Sequence, residues 1–190
     1  METSKINCFF EIRADNENEK SIIYGRPIVF ESVADMYHYD EIISRGALDC
    51  ADLSNIVLLV NHNDSMIPLA RYCSTSAQNT MELTVDENGL AFRAELDTEN
   101  NPTAKELYSA IKRGDISQMS FAFTIKDEKW LKLDTDKPTR RIERIQKVYE
   151  ISAVTNPAYK ATNISARSTV NQARSNNNRT ELLRKLISIL

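Results

Sequence analysis

Three residues of this sequence could together perform nucleophilic catalysis: a serine, a histidine and a carboxylate. Ser120 lies in the run Met119–Ile125, whose alternation predicts a strand with its large side chains in the core and Ser120, Ala122 and Thr124 on the other face. A strand would hold a nucleophile rigidly, and small neighbours would let a substrate carbonyl approach. The alternative is an ordinary strand serine bonded to solvent or backbone.

His62 follows the continuous apolar run Ile56–Val60, which predicts a buried strand that delivers polar residues to its exit. An imidazole can take a proton from a hydroxyl near neutral pH, so His62 is a candidate general base. A turn histidine without a chemical role is the alternative. The sequence has two histidines, and His38, in an aromatic and polar stretch, is predicted to be a surface residue.

Glu150 is a charged residue inside the β-forming run Val148–Val154. A histidine base needs an acceptor on its far ring nitrogen, and a charge at such a position is rarely buried without a partner. Glu150 could therefore orient His62, or it could face water on a half-exposed sheet. Each signal has a structural explanation when taken alone, and only their combination indicates hydrolytic chemistry.

Composition limits the other classes of function. The length of 190 residues predicts one domain with tails. With 24 Lys and Arg against 27 Asp and Glu, the net charge is −3, which argues against nucleic acid as a partner. The four glycines form no phosphate-binding loop, so a nucleotide-dependent enzyme is not expected. No cofactor is predicted.

Cysteine usage and hydropathy predict an intracellular protein. Cys8, Cys50 and Cys73 are odd in number and widely separated, so neither a disulfide framework nor a structural zinc site is expected, and no metal is predicted. No apolar stretch is long enough for a membrane span, and the polar start does not lead into a signal peptide.

The elements that must position these residues are mostly strands. Strands are predicted at Ile6–Arg13, Ile22–Phe30, Ile56–Val60, Leu69–Ser74, Met81–Val85, Leu90–Leu96, Gln118–Lys126, Trp130–Leu133 and Arg141–Thr155. A first hairpin turns at Asp15–Lys20, and Asp86–Gly89 is a second hairpin turn. One helix is predicted between an Asn101 N-cap, with Pro102 at its first position, and Gly114 after its last turn.

The C-terminal part of the chain changes in composition. Residues 1–164 are predicted to form the β domain, and residues 165–180, rich in Ser, Thr, Asn, Gln and Arg, a polar linker. Residues 181–190 place their leucines on one helical face, which predicts a short amphipathic helix that docks on another surface.

Several short motifs, in this order, resemble those of the prohead serine proteases of tailed bacteriophages, which are distantly similar to the herpesvirus assembly proteases. The matching segments are Glu41–Leu48, Asn61–Asn63, Pro68–Arg71, Asp86–Leu90, Gly114–Phe123 and Glu150–Ala158. Departures are Ala70 and Ala122 in place of glycine, Leu48 in place of an aromatic residue, and Asn63 where the family often has Asp. None falls on Ser120, His62 or Glu150.

The resemblance implies Ser120 as nucleophile, His62 as general base and Glu150 as the residue that orients His62. It suggests oxyanion donors near Asn156 and Ala158, since the intervening Pro157 has no N–H. It also implies a mainly β fold, a closed antiparallel barrel like that of the herpesvirus proteases, with peripheral helices.

The resemblance further implies a biological setting. A serine endopeptidase of this kind would act inside the assembling prohead, in the host cytoplasm, on the scaffold protein, the major capsid protein and itself. The polar linker is a candidate self-cleavage site. Because relatives form dimers, a homodimer is possible here.

Two other readings of the sequence stay open. The domain could be a non-catalytic scaffold- or capsid-binding module. It could also be a cysteine hydrolase that uses Cys73 or Cys50 with His62, although neither cysteine has a visible activating context.

Overall fold

The computed structural model describes residues 4–8, 12–17, 20–155, 170, 172–181 and 184. The strands within these residues are β1 (Ser4–Cys8), β2 (Ile12–Glu17), β3 (Lys20–Val29), β4 (Val33–Asp35), β5 (Asp40–Ile43), β6 (Asn55–Val60), β7 (Ala70–Cys73), β8 (Met81–Asp86), β9 (Gly89–Leu96), β10 (Gln118–Leu131) and β11 (Thr139–Val154). Helix α1 spans Pro102–Arg113. Residues 172–181 are also helical.

The strands form two sheets. In the larger one the order is β1-β10-β11-β5-β4, with β6 also paired to β11 and β7 paired to β6. The smaller sheet has the order β2-β3-β9-β8. The predicted mainly β architecture is confirmed. Pairing among the described strands leaves these two sheets open, and closure into a barrel stays a prediction.

The long strands β10 and β11 form the framework that positions the candidate site. They pair antiparallel from Gln118↔Val154 to Leu131↔Thr139. The other edge of β11 pairs in parallel with β5 at its beginning and with β6 at its end. The last residues of β11 therefore lie between β6 and β10, although the three strands are far apart in the sequence.

The predicted break within β10 is wrong. The sequence suggests two strands, Gln118–Lys126 and Trp130–Leu133, because the charged residues between them disrupt the apolar pattern. In the structure these residues stay in the ladder, since Asp127 pairs with Arg144 and Lys129 with Arg141. The ion pairs Asp127–Arg144 and Glu128–Arg140 join the two strands there in place of apolar burial.

Both faces of the first half of β10 are buried, whereas the alternation predicts one core face. Met119, Phe121 and Phe123 are fully buried, and on the other face Ser120 and Thr124 are only 0% and 2% exposed. The strand has neighbours on both edges and protein on both sides. Ser120 is therefore held more tightly than the sequence pattern alone indicates.

Helix α1 confirms its prediction. The Asn101 side chain accepts hydrogen bonds from the backbone N–H groups of Thr103 and Ala104, and Pro102 is the first helical residue. Gly114 ends the helix in the left-handed conformation, with φ 82°. The hairpin predicted around Asp86–Gly89 is also confirmed, because β8 and β9 pair up to Asp86↔Gly89.

The N-terminal strands differ from their prediction. The single strand expected at Ile6–Arg13 is replaced by β1 and β2, which belong to different sheets. β1 pairs with β10, whereas β2 forms the expected hairpin with β3. The short strands β4 and β5 were not predicted, because three or four residues carry too little periodicity to detect.

The tail docks on the tip of the β10–β11 hairpin. Val170 is buried against Tyr39, and Met36 and Trp130 pack on this pair. Arg174 donates to the carbonyl oxygens of Leu133 at 3.0 Å and Thr135 at 2.7 Å.

The prediction of a polar linker at 165–180 is therefore wrong for residues 172–180, which are helical. Contacts with the hairpin tip stabilise this helix, and the composition of the segment does not reveal them. Of the helix predicted at 181–190, residues 181 and 184 are described and helical, and the others lie outside the described residues.

A buried charge cluster lies beside this contact. Arg140 bonds Glu41 at 3.2 Å and also Glu128, and its guanidinium carbon lies 5.9 Å from the centre of the Trp130 ring. Glu41 is 2% exposed, and burial raises the pKa of its carboxyl group to about 7 despite the nearby Arg140. Burial likewise raises the pKa of Tyr39 to about 12, with Glu41 adding to the effect.

Candidate active site

His62 is presented by a tight reversal at the end of β6. Ile56 and Leu58 are fully buried and fix the strand, and the chain turns directly after Val60. Asn61 and His62 both have left-handed backbones, with φ values of 51° and 57°. Asparagine and histidine are among the residues that adopt this conformation most readily.

Hydrogen bonds to the end of β11 hold this reversal in place. The Asn61 N–H donates to the carbonyl oxygen of Ala153 at 2.9 Å, and the Asn61 side-chain oxygen accepts from the Thr155 N–H at 3.0 Å. The Asn63 N–H closes the turn on the Val60 carbonyl oxygen at 3.0 Å. The backbone at His62 is thus fixed relative to β11.

Ser120 and Glu150 reach the same face of the sheet from neighbouring strands. Ser120 on β10 is opposite Ser152 on β11, and Glu150 lies two residues before Ser152. Directly opposite residues of an antiparallel pair, and residues two apart on one strand, point to the same face. Ala122 is opposite Glu150 on β10, so that strand presents only a methyl group to the carboxylate, and Val57 pairs with Glu150 from β6.

The imidazole of His62 lies between the other two side chains. Its Nε2 atom is 2.7 Å from the Ser120 Oγ, and its Nδ1 atom is 2.5 Å from the Glu150 Oε1. The side chains of His62 and Glu150 are only 13% and 9% exposed. An ionised carboxylate can only accept, so Glu150 places the ring proton on Nδ1 and leaves Nε2 free to accept the Ser120 proton.

Ser152, which was not predicted from the sequence, also belongs to this group. Its hydroxyl donates to the Glu150 Oε2 at 2.6 Å and accepts the His62 backbone N–H at 3.2 Å, and the residue is fully buried. A signal was available, because a hydroxyl two residues from Glu150 must share its face of the strand.

The predicted oxyanion donors, Asn156 and Ala158, lie outside the described residues. His38 lies elsewhere, between β4 and β5. Its ring packs edge-to-face against the Tyr37 ring, with the two ring centres 4.7 Å apart.

Cys50 and Cys73, the two cysteines considered as nucleophiles, are not hydrogen-bonded to the imidazole. Cys50 is exposed, and the Cys73 Sγ is 3.3 Å from the Thr75 hydroxyl, which lowers the pKa of the thiol. The His62 ring bonds instead to Ser120 and Glu150. The geometry therefore favours serine over cysteine chemistry.

The described residues contain no group of three or more His, Cys, Asp and Glu side chains arranged to hold a metal ion. Of the helices in this part of the chain, none is long and apolar enough to cross a bilayer.

Comparison with known proteins gives the family. A model of the Caudovirus prohead serine protease family matches residues 9–176. The chain belongs to this family. It is therefore a serine peptidase of phage capsid assembly that acts within the assembling prohead. No curated protein matches the chain. Among solved structures, the bacteriophage T4 capsid assembly protease gp21 is 13% identical, with 83% of this chain and 100% of that chain covered and a TM-score of 0.49.

Proposed function

We propose that Ser120, His62 and Glu150 are the catalytic triad of this prohead protease. One observation carries the proposal: a continuous hydrogen-bonded chain runs from the Ser120 hydroxyl through the His62 ring to the Glu150 carboxylate. Catalytic triads are recognised by this spatial order of nucleophile, base and orienting acid, and not by the positions of the residues in the sequence.

The reaction proceeds through an acyl-enzyme. The Ser120 Oγ bonds to the carbonyl carbon of the scissile peptide while its proton passes to Nε2 of His62. The carbon–nitrogen bond then breaks, and Nε2 gives this proton to the leaving amine. A water molecule attacks the ester, with His62 again as base, and releases the new carboxyl terminus and the free Ser120 hydroxyl. Glu150 stabilises the imidazolium in both steps.

The tetrahedral intermediates need N–H donors for the developing oxyanion. We assign this role to the backbone N–H groups of Asn156 and Ala158, which follow directly after the end of β11. Pro157 between them has no N–H and cannot contribute. Asn156 follows Thr155 in the sequence, and the Thr155 N–H bonds to the side chain of Asn61, the residue before His62, which supports this assignment.

The substrates we propose are the scaffold protein and the arm of the major capsid protein, together with the tail of the protease itself. Membership of the prohead protease family supports these substrates. The site of action is the assembling prohead in the host cytoplasm. We further expect the two sheets to close into one barrel, and the protease to form a homodimer.

The test is cleavage of the cognate scaffold and major capsid proteins, followed by gel electrophoresis and mass spectrometry. Ser120→Ala and His62→Ala should abolish cleavage without loss of the folded state. Ser44→Ala is the matched control, because Ser44 is also a buried serine and its hydroxyl has no partner among the described residues. Unchanged processing by Ser120→Ala would exclude Ser120 as the nucleophile.

A further inference from the structure

We propose that Ser152 is a positioning residue for hydrolysis, whose hydroxyl holds the Glu150 carboxylate and the His62 backbone in one fixed arrangement. This inference rests on the proposed triad and adds a fourth residue to it. Ser152 is fully buried, and its described hydrogen bonds go to the Glu150 carboxylate and the His62 backbone rather than to the Ser120 hydroxyl or the His62 ring.

The contacts of Ser152 use its hydroxyl in both directions. A serine hydroxyl has one proton to donate and two lone pairs to accept with. Its proton goes to the Glu150 Oε2 at 2.6 Å, and the same oxygen accepts the His62 N–H at 3.2 Å. The other Glu150 oxygen, Oε1, bonds the His62 ring. The Ser152 Oγ is therefore linked to the His62 backbone directly and to the His62 side chain through Glu150.

The bond from His62 N–H has a specific task, because the His62 backbone is left-handed. A left-handed backbone at a residue other than glycine is unfavourable and persists only where its surroundings fix it. The Ser152 hydroxyl provides one such constraint at His62 itself, and Asn61 N–H to Ala153 provides another just before it. Loss of the hydroxyl would free the histidine backbone while β6 stays buried.

The bond to Glu150 acts on the ring. A carboxylate held through Oε1 alone can rotate about its last side-chain torsion, which is a soft angle. A second donor on Oε2 fixes the plane of the carboxylate and therefore the direction from which Nδ1–H is held. Misplacement of a catalytic group by about 1 Å can cost on the order of 10²-fold in rate. Ser152 is thus suited to affect kcat more than substrate binding.

The first experiment compares Ser152→Ala, Ser152→Thr and the control Ser44→Ala in steady-state cleavage of a scaffold-derived peptide. We expect Ser152→Ala to lower kcat by about 10- to 100-fold, the range seen when outer partners of metal-ligand histidines are removed. KM should stay within about twofold. Ser152→Thr keeps the hydroxyl and should recover most of the rate. Wild-type kcat in Ser152→Ala would overturn the proposal.

The second experiment separates positioning from general stability. In a Glu150→Ala background, Ser152→Ala should have a much smaller effect on the residual rate than in the wild type, because its partner is gone. An equal fold-loss in both backgrounds would contradict the proposal. This comparison also remains informative if Ser152→Thr does not fold.

A spectroscopic measurement gives a readout other than activity. With only His38 and His62 in the chain, the proton NMR signal of the His62 ring N–H can be assigned by comparison with a His38→Gln variant. Ser152→Ala should shift or broaden this signal and Ser44→Ala should not; an unchanged signal would argue against positioning. Failure of the triad itself would appear differently, as cleavage that persists in Ser120→Ala.

Discussion

Ala122 on β10 lies directly opposite Glu150 on β11, so the carboxylate that holds His62 has the smallest chiral side chain as its neighbour on that strand. Opposite side chains on a sheet have Cβ atoms only about 5 Å apart. Ala122 is 4% exposed, and a larger residue there could not move into solvent. The size of this side chain is therefore a condition for the position of Glu150.

Ala122→Val should impair catalysis beyond its cost in stability. Its added methyl groups would press on Glu150, and overpacking of this kind costs about 1–3 kcal/mol. We expect kcat to fall at least about tenfold, which corresponds to 1.4 kcal/mol of transition-state stabilisation. Ala94→Val, at a fully buried alanine of the other sheet, should be destabilised but keep its kcat. Equal kcat values for the two variants would contradict the argument.

Glu150→Gln tests the role of the charge. The amide can donate as well as accept, so it no longer places the ring proton on Nδ1 and no longer stabilises the imidazolium. A carboxylate-to-amide change in a Ser-His-Asp triad lowers kcat by about 10⁴. We expect a decrease of about 10²–10⁴-fold here, measured on the peptide substrate, with a normal unfolding transition. Retention of more than a tenth of the activity would leave Glu150 without its assigned role.

The buried Glu41 should make folding pH-dependent. Its pKa is raised from 4.5 to about 7 in the folded state, so the folded protein binds more protons than the unfolded chain between these values. The contribution of Glu41 therefore lowers the free energy of unfolding by on the order of 3 kcal/mol as the pH rises from about 4.5 to 7. Urea unfolding at several pH values should show this decrease relative to Glu41→Gln.

Glu87→Gln is the control for that comparison, since Glu87 is an exposed residue of the β8–β9 turn. It should follow the wild-type pH dependence. If Glu41→Gln and the wild type lose stability in parallel between pH 4.5 and 7, the carboxyl group of Glu41 is not raised in pKa as the structure indicates.

Two glycines with positive φ should differ in their tolerance of a side chain. A Cβ atom on Gly89, at φ 137°, would lie 2.0 Å from the Ile28 carbonyl oxygen, whereas one on Gly114, at φ 82°, meets nothing within 4 Å. Gly89→Ala should cost at least about 2 kcal/mol, because strain and a steric clash act together. Gly114→Ala should cost about 1 kcal/mol. Denaturant unfolding of both variants would show the order.

The sequence predicts those parts of the molecule whose signals are local. The caps of α1 and the turn before Gly89 depend on residues a few positions apart, and both appear as expected. The continuity of β10 through Asp127 could not be predicted, because it depends on pairing with Arg144 in another strand. The place of Ser152 beside Glu150 has a local signal, but its contact with His62, 90 positions away in the sequence, could not be predicted.

If the protease cuts its own tail, as proposed above, the docked position of the tail determines which copy can cut it. The helical residues 172–181 contact the tip of the β10–β11 hairpin, whereas Ser120 lies near the opposite end of β10, about 36 Å from Leu131 along the strand at 3.3 Å per residue. A docked helix cannot enter the site of its own molecule. Cleavage within this helix would then require two molecules and follow second-order kinetics. Its rate would rise when many copies are concentrated inside a closed shell.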